Sequence, residues 1–233
     1  MSASFRKMDL RQKAEYIFLY YKLPILLGLI ALAVLCSVLH RELTKKEPVL
    51  YAALVNVSVG DALEQELTEG FLQWSGEEPK KKEVYLYRAL YLSDDAAPAN
   101  HEYAYASRLK LLGAVHAKRL DLALMNREGY DILSRGGYLL DLSAWPEDPL
   151  HGRLAPYLTE NEVVLEDNAI EYNLNEAAEY RESVKTVSNA VEVSALPLFR
   201  EAGFSDPVYL GVIANSPRRD AAAHYLAYQL DHP

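Results

Sequence analysis

The 233-residue chain contains only one cysteine, Cys36, and that residue lies inside an apolar segment. The rest of the chain therefore has no thiol for a disulfide or a thiolate metal site. Its six histidines include no i, i+4 pair that would place two metal ligands on one helix face. The sequence also lacks a glycine-rich phosphate loop, His-Glu-x-x-His and Gly-x-Ser-x-Gly. We therefore expect no enzyme, no catalytic residue, no metal and no cofactor.

Positive charge is scarce beyond the N-terminal leader. The formal net charge of the chain is −9, and the first 22 residues carry five basic and two acidic side chains, which leaves −12 for the remainder. An acidic domain repels the phosphate backbone of DNA and RNA. We therefore expect no nucleic-acid partner.

One long apolar run lies near the N-terminus. Residues 23–39 (LPILLGLIALAVLCSVL) carry no charge, and the upstream YIFLYY lengthens the run. The Lys22 side chain lies about one turn inside this stretch, from where its ammonium group can reach the membrane interface. We predict one membrane-spanning helix over about residues 17–39, a retained signal anchor. A buried core helix and a cleaved signal peptide are the alternatives.

The charges on either side of this run predict its orientation. Five basic residues precede it and three follow it closely: Arg6, Lys7, Arg11, Lys13 and Lys22, then Arg41, Lys45 and Lys46. The excess of positive charge before the run places the N-terminus in the cytoplasm. We therefore predict a single-pass protein of the cell membrane. Residues 1–46 would be cytoplasmic leader, transmembrane helix and connector, and residues 47–233 an extracytoplasmic domain.

Beyond the connector, strand and helix patterns alternate. β-rich runs at 49–59, 83–92 and 120–125 are separated by two helical patterns, one that begins at Asp61 and one near His101. In the second helix Tyr105, Leu109 and Leu112 share a face, as in an amphipathic helix. Short connections between such elements indicate parallel crossovers. The predicted fold is α/β, with a mostly parallel sheet flanked by helices.

The pattern is weaker beyond Trp145-Pro146. Residues 163–165 and 169–174 are typical of short strands on either side of a hairpin at Asp167-Asn168, and 184–193 predicts another strand. A last strand at 207–214 precedes a helix that begins at Asn215-Ser216-Pro217.

Three stretches share a family resemblance: DLALMNREGYDILSRGGYLLDLS at 121–143, VEVSALPLFREAGF at 191–204 and PVYLGVIANSPRRDAAAHYLAYQL at 207–230. They resemble the type 2 extracellular (periplasmic) solute-binding proteins of bacterial transport systems. The resemblance implies a periplasmic-binding-protein-like fold, in which two lobes are hinged around a ligand cleft. About 190 soluble residues are few for two lobes, since domains commonly contain about 100–150. We therefore expect a reduced second lobe.

Polar residues stand at the carboxyl ends of the predicted parallel strands: Asn56, Ser58, Ser93, Asp94, Asn126 and Arg127. Open α/β sheets bind ligands along this edge. The same residue types also cap helices and form turns, and Asn126 is a predicted helix cap. These six residues are the candidate ligand contacts.

The predicted function is therefore a membrane-anchored extracytoplasmic binding module without catalytic activity. The resemblance and the candidate contacts indicate a small solute, such as a sugar or a peptide, as its ligand. The alternative is a ligand-free scaffold or interaction protein of the cell membrane, built on the same fold and bound to a membrane protein partner.

Overall fold

A computed structural model describes residues 22–37, 39, 45–95, 97–143, 145–146, 149–174 and 179–231. The chain divides into two compact units, residues 1–46 and 47–233. Residues 22–37 of the first unit are helical, and their apolar side chains are exposed. Within the described ranges, no helix has the length and apolar character needed to cross a membrane. Residues 17–21 and 38 of the predicted span lie outside the described residues.

The described residues of 47–233 form one six-stranded sheet. The strands are β1 (Glu47–Val55), β2 (Lys82–Leu90), β3 (Leu122–Met125), β4 (Leu158–Asp167), β5 (Glu182–Glu192) and β6 (Tyr209–Val212). Their order across the sheet is β2-β1-β3-β6-β5-β4. The predicted α/β class is therefore confirmed.

In the part of the chain that the structure describes, seven helices accompany the sheet, besides 3₁₀ turns at Pro98–Asn100 and Ala155–Tyr157. They are α1 (α-helical Asp61–Gln65, π-helical Glu66–Gly70 and α-helical Phe71–Trp74), α2 (His101–His116), α3 (Arg127–Arg135), α4 (Leu150–Leu154), α5 (Ala169–Leu174), α6 (Pro197–Ala202) and α7 (Arg219–Asp231). Helix α1 connects β1 to β2 and helix α2 connects β2 to β3, as the sequence predicted.

The sheet is mixed rather than mostly parallel. β1 pairs in parallel with both β2 and β3, as predicted. β6 then pairs antiparallel with β3 and with β5, and β5 pairs antiparallel with β4. The prediction was wrong for this second half because a strand pattern does not reveal the neighbour beside which the strand inserts. β6 is a late strand that inserts between β3 and the β4–β5 pair.

The predicted strand at residues 169–174 is also wrong, because this segment is helix α5. The Asp167 carboxylate accepts a hydrogen bond from the Ala169 amide at 3.1 Å, which closes a turn at the start of the helix. The Asn168 side chain donates to the Glu179 carbonyl and accepts from the Arg181 amide, at 2.9 and 2.7 Å. The connection between β4 and β5 therefore includes a short helix instead of a tight hairpin.

Two hydrophobic clusters form the core, and both lie entirely within residues 47–233. One packs β1 and β2 against α1, α6 and α7, with Phe71, Phe199 and Leu226 at its centre. The other packs the sheet against α2 and α3, with Leu111 and Tyr130 fully covered. Because each face of the sheet has its own apolar cluster, residues 47–233 have the core that independent folding requires.

Helix α2 presents a different face to the sheet than its sequence pattern suggested. Ala104, Leu111 and Val115 are buried, whereas Tyr105 is 61% exposed and Leu109 is 53% exposed. The helix carries apolar residues on both sides, so periodicity alone did not select the buried side.

The π-helical segment of α1 is stabilised by two tyrosines of α7. The Tyr225 hydroxyl donates to the Leu67 carbonyl at 2.9 Å, and the Tyr228 hydroxyl donates to the Glu66 carbonyl at 3.0 Å. These bonds satisfy carbonyls of the widened turn. Gly70 has no side chain, and a Cβ atom there would lie 2.5 Å from the Tyr228 hydroxyl. The glycine thus permits α7 to approach.

A buried carboxylate fixes the segment before α7. Asp121, at the start of β3, is fully buried. Its Oδ2 accepts from the Tyr51 amide at 2.9 Å, and its Oδ1 accepts from the Ser216 hydroxyl at 2.6 Å. The Arg218 guanidinium lies 3.0 and 3.2 Å from the two carboxylate oxygens. One side chain therefore links β1, β3 and the entry to α7.

Candidate functional site

A groove of about 890 Å³ lies at the carboxyl ends of β1, β2 and β3. Its walls come from the segments that follow these strands, from α3 and from the loop at 204–208. The three parallel strands bring these segments together because their carboxyl ends meet at one edge of the sheet. The groove therefore occupies the place where the sequence predicted ligand contacts.

Five of the six predicted contacts line the groove. They are Asn56, Ser58, Asp94, Asn126 and Arg127. Ser93 is half-buried and lies outside the lining. The sequence thus predicted that these residues lie together at one edge of the sheet, and their ligand-binding role stays a prediction.

Two of these residues have clear structural roles. Asn56 has a left-handed backbone, with φ of 56°, which asparagine tolerates better than most residues. Its side-chain amide donates to the Leu92 carbonyl at 2.6 Å and accepts from the Leu92 amide at 2.8 Å. Asn126 caps α3 by accepting from the Gly129 amide at 2.9 Å. Both side chains therefore hold the groove's rim in place.

Arg127 lies at the start of α3 and is held from several sides. Its guanidinium carbon is 5.5 Å from the centre of the Tyr130 ring and 5.9 Å from that of Tyr209. Its Nε lies 2.9 Å from the Asp131 carboxylate. Burial lowers the pKa of Arg127, but hydrogen bonds to Tyr209 and Asp131 outweigh that effect and raise it. The groove therefore contains a guanidinium in a defined position.

Several lining residues were missed in the sequence. Arg108, Asp131, Arg135, Phe204 and Asp206 all line the groove. The spacing of four residues between Arg127, Asp131 and Arg135 was a visible signal, since it places them on one face of a helix. Arg108 and the loop at 204–208 come from distant parts of the chain, and only the folded structure brings them to this edge.

The groove continues along α3. A shallower depression of about 550 Å³ is lined by Arg127, Asp131 and Arg135 on one side and by β4 and Thr186 on the other. The same three residues also line the main groove. α3 therefore forms a charged wall shared by both spaces, with side chains of both signs.

Arg135 connects this wall to the β4–β5 pair. Its guanidinium donates to the Glu162 carboxylate at 2.8 Å and to Glu182 at 2.6 Å. The Tyr180 hydroxyl donates to Glu182 at 3.0 Å. Hydrogen bonds from Arg135 and Tyr180 hold the pKa of Glu182 below its ordinary value of 4.5.

This lowered pKa predicts how acid affects the domain. A carboxyl with a depressed pKa stabilises the folded state above its ordinary pKa, and the contribution is lost as the pH falls through the lowered value. We therefore expect Glu182→Gln to be less stable than wild type at pH 6, with a difference that shrinks toward pH 3. Urea unfolding at several pH values measures this difference. A constant difference across the range would contradict the assignment.

A buried polar network places α3 on the antiparallel strands. The Tyr130 hydroxyl lies 2.8 Å from Asn189 Oδ1 and 2.9 Å from the Thr159 carbonyl. Asn189 Nδ2 donates to Ser134 Oγ at 2.7 Å, and the Ser134 hydroxyl donates to the Glu162 carbonyl at 2.7 Å. Tyr130, Ser134 and Asn189 are all fully buried. Burial raises the pKa of Tyr130 far above its ordinary value, so its hydroxyl stays neutral.

The chemistry available in the groove is ionic and hydrogen-bonding. The described lining includes Asp94, Asp95, Glu128, Asp131 and Asp206 beside three arginines. Arg108 pairs with Asp94 at 2.6 Å. Over the residues that the structure describes, no group of three or more His, Cys, Asp or Glu side chains could hold a metal ion. The arrangement suits recognition of a polar ligand with groups of both signs.

Comparison with known proteins returns no match: no protein-family model, no curated protein and no solved structure corresponds to this chain.

Proposed function

We propose that this protein is a non-catalytic binding module, anchored in the cell membrane, whose ligand site is the groove at the carboxyl ends of β1, β2 and β3. The observation that carries the proposal is the convergence there of five sequence-predicted residues with Arg108, Asp131 and Arg135. A volume of about 890 Å³ also falls in the size range of small-molecule sites. The ligand is a small polar solute such as a sugar or a short peptide.

The resemblance to type 2 solute-binding proteins supports this proposal at the groove itself. The stretch 121–143 supplies β3 and α3, and α3 forms the charged wall. The stretch 191–204 ends at Phe204, which also lines the groove. The described residues after 46 contain one sheet, so we expect a bound solute to be contacted by a single lobe. Such a solute is less enclosed than in a two-lobed cleft.

A second candidate function is a scaffold that has kept the fold without a ligand. It is favoured by the roles of Asn56 and Asn126, whose side chains already bond to the backbone. The groove arginines are likewise paired with carboxylates. In this case the protein acts through a membrane protein partner.

The membrane anchor is part of the proposal and rests on the apolar run at 17–39 and its basic flank. We propose that the N-terminus is cytoplasmic and that residues 47–233 lie outside. External protease added to intact spheroplasts tests this orientation. Digestion of the domain with protection of an N-terminal tag is the expected result, and protection of both would contradict it.

Chemical-shift mapping tests the groove. We expect ¹H–¹⁵N spectra of residues 47–233, titrated with sugars, amino acids, short peptides and polyamines, to show perturbations clustered at Arg127, Asp131 and Phe204 for one class of solute. The Arg127→Ala/Asp131→Ala variant should lose these shifts. Lys80→Ala/Lys81→Ala, a pair of exposed lysines outside the lining, is the matched control and should keep them. Shifts scattered away from the groove would count against the proposal.

A further inference from the structure

A row of tyrosines crosses β1 and β2 on the face that α2 covers. The ring centres of Tyr51 and Tyr85 are 5.6 Å apart, and those of Tyr85 and Tyr87 are 4.9 Å apart. A cation stands at each end of the row. The Arg218 guanidinium lies 4.6 Å from the Tyr51 ring centre, and the Lys110 ammonium lies 5.8 Å from that of Tyr87. The five side chains form a continuous surface.

Further positive charge lies beside this row. Arg218 donates to the carbonyl of Lys118, whose residue is exposed. We call Tyr51, Tyr85, Tyr87, Lys110 and Arg218 the tyrosine–cation band, with Lys118 at its border.

The band differs in charge from the rest of the domain. Removing the eight basic and three acidic residues of 1–46 from totals of 24 and 33 leaves 16 basic and 30 acidic residues, a net charge of −14. Arg218 is already paired with the fully buried Asp121, so the charge available beside the tyrosines comes from Lys110 and Lys118, which form no ion pair among the described residues. A strongly acidic domain thus presents two exposed lysines beside a row of aromatic rings.

This combination has the chemistry of a membrane-facing surface. Tyrosine is enriched at the membrane interface because its ring is apolar and its hydroxyl is polar. Lysine and arginine are attracted to anionic lipid headgroups. Tyr85 is 43% exposed, so its ring is available for such contact. We propose that the tyrosine–cation band lies against anionic phospholipid headgroups, and this inference rests on the membrane anchor in the proposed function.

The connection along the chain favours the same occupant. Seven residues, 40–46, separate the predicted span from β1, and seven extended residues reach at most about 25 Å. Tyr51 lies four residues into β1. The groove lies at the opposite, carboxyl ends of these strands. Contact of the band with headgroups would therefore leave the groove accessible to dissolved ligands.

The test uses the full chain in phosphatidylcholine vesicles, with or without added phosphatidylglycerol. In a Cys36→Ser background, a fluorophore is attached through Ala117→Cys beside the band or through Glu128→Cys at the groove. A lipid with a spin-labelled headgroup quenches whichever fluorophore lies near the bilayer. We expect strong quenching at position 117 that requires phosphatidylglycerol, and weak quenching at position 128 in both lipid mixtures.

Charge reversal tests the role of the cations. Each cation near an anionic surface contributes about a fivefold preference for contact with that surface. Lys110→Glu/Lys118→Glu should therefore reduce, more than tenfold, the population of molecules whose band lies against the bilayer. The reversal Arg200→Glu, at an exposed arginine of α6 outside the band, should leave quenching unchanged. Unchanged melting temperatures would show that both variants are folded.

The outcomes separate this inference from the proposed function. Failure of the full chain to float with vesicles would overturn the membrane anchor and the inference together. Flotation with equal quenching at positions 117 and 128 would leave the anchor standing and overturn the headgroup contact. The fluorophore at position 117 could instead be shielded from the quencher in a way that depends on protein concentration and needs no phosphatidylglycerol. That result would assign the band to a second copy of the chain.

Discussion

Replacing Asp121 by alanine is expected to lower the free energy of unfolding by about 3–5 kcal/mol, the usual cost of removing one partner from a buried ion pair. The carboxylate is fully buried, and the Arg218 side chain is 28% exposed. Its loss leaves that guanidinium unpaired, the Tyr51 amide without an acceptor and the Ser216 hydroxyl without a partner oxygen. Urea unfolding of residues 47–233, monitored by circular dichroism, measures the effect.

A matched control distinguishes the energetic effect of burying the carboxylate from the effect of ion pairing alone. Asp94 forms an ion pair with Arg108 at 2.6 Å, but the Asp94 side chain is 70% exposed. Asp94→Ala should therefore cost less than about 1 kcal/mol. Asp121→Asn keeps the volume and removes the charge, and it should remain strongly destabilising. If Asp121→Ala and Asp94→Ala lower the free energy of unfolding by the same amount, the buried carboxylate does not hold the segment before α7.

Replacing Asn189 by alanine is expected to cost about 2–4 kcal/mol, because buried groups that lose hydrogen-bond partners are expensive to leave unsatisfied. Asn189 bridges Tyr130 and Ser134 inside the protein, at 2.8 and 2.7 Å. The substitution also leaves a space where the amide stood. Since this network places α3 on β4 and β5, the variant should also lower the affinity for any ligand that binds along the α3 wall.

A double-mutant cycle shows whether the network acts as a unit. Tyr130→Phe and Asn189→Ala together should cost less than the sum of the single changes, because both remove the same hydrogen bond. Asn161→Ala is the control: its amide donates to Asp131 at 2.7 Å, and its side chain is not fully buried. Its cost should be about 1 kcal/mol. Strict additivity of Tyr130→Phe and Asn189→Ala would contradict a coupled network.

The parallel half of the sheet could be predicted because its signals are local. The runs at 49–59 and 120–125 overlap β1 (Glu47–Val55) and β3 (Leu122–Met125), and the first helix begins at Asp61 as predicted. The antiparallel half depends on which strands meet across long separations, and residue patterns do not encode that choice. Residues 169–174 show the same limit, since six apolar-rich residues fit a short strand or a short helix equally well.

The candidate site likewise has a part that local sequence signals predict and a part that they do not. Asn126 and Arg127 follow directly from a strand and a helix start, so their place at the sheet edge could be predicted. Asp206 reaches the groove through the loop at 204–208, whose position depends on the antiparallel insertion of β6. Arg108 depends on the side that α2 presents, and the pattern of that helix was ambiguous. The positions of Asp206 and Arg108 in the groove therefore depend on how distant segments of the chain pack together.

A thermal-shift screen of residues 47–233 against sugars, amino acids, short peptides, polyamines and divalent ions tests the central claim most directly. A ligand at about 100 times its dissociation constant stabilises the fold by roughly 2.7 kcal/mol, which is visible as a higher melting temperature. The binding proposal predicts a rise with one class of solute that disappears in Arg127→Ala/Asp131→Ala and persists in Lys80→Ala/Lys81→Ala. A cooperatively melting domain that no solute stabilises would contradict the proposal and favour the scaffold.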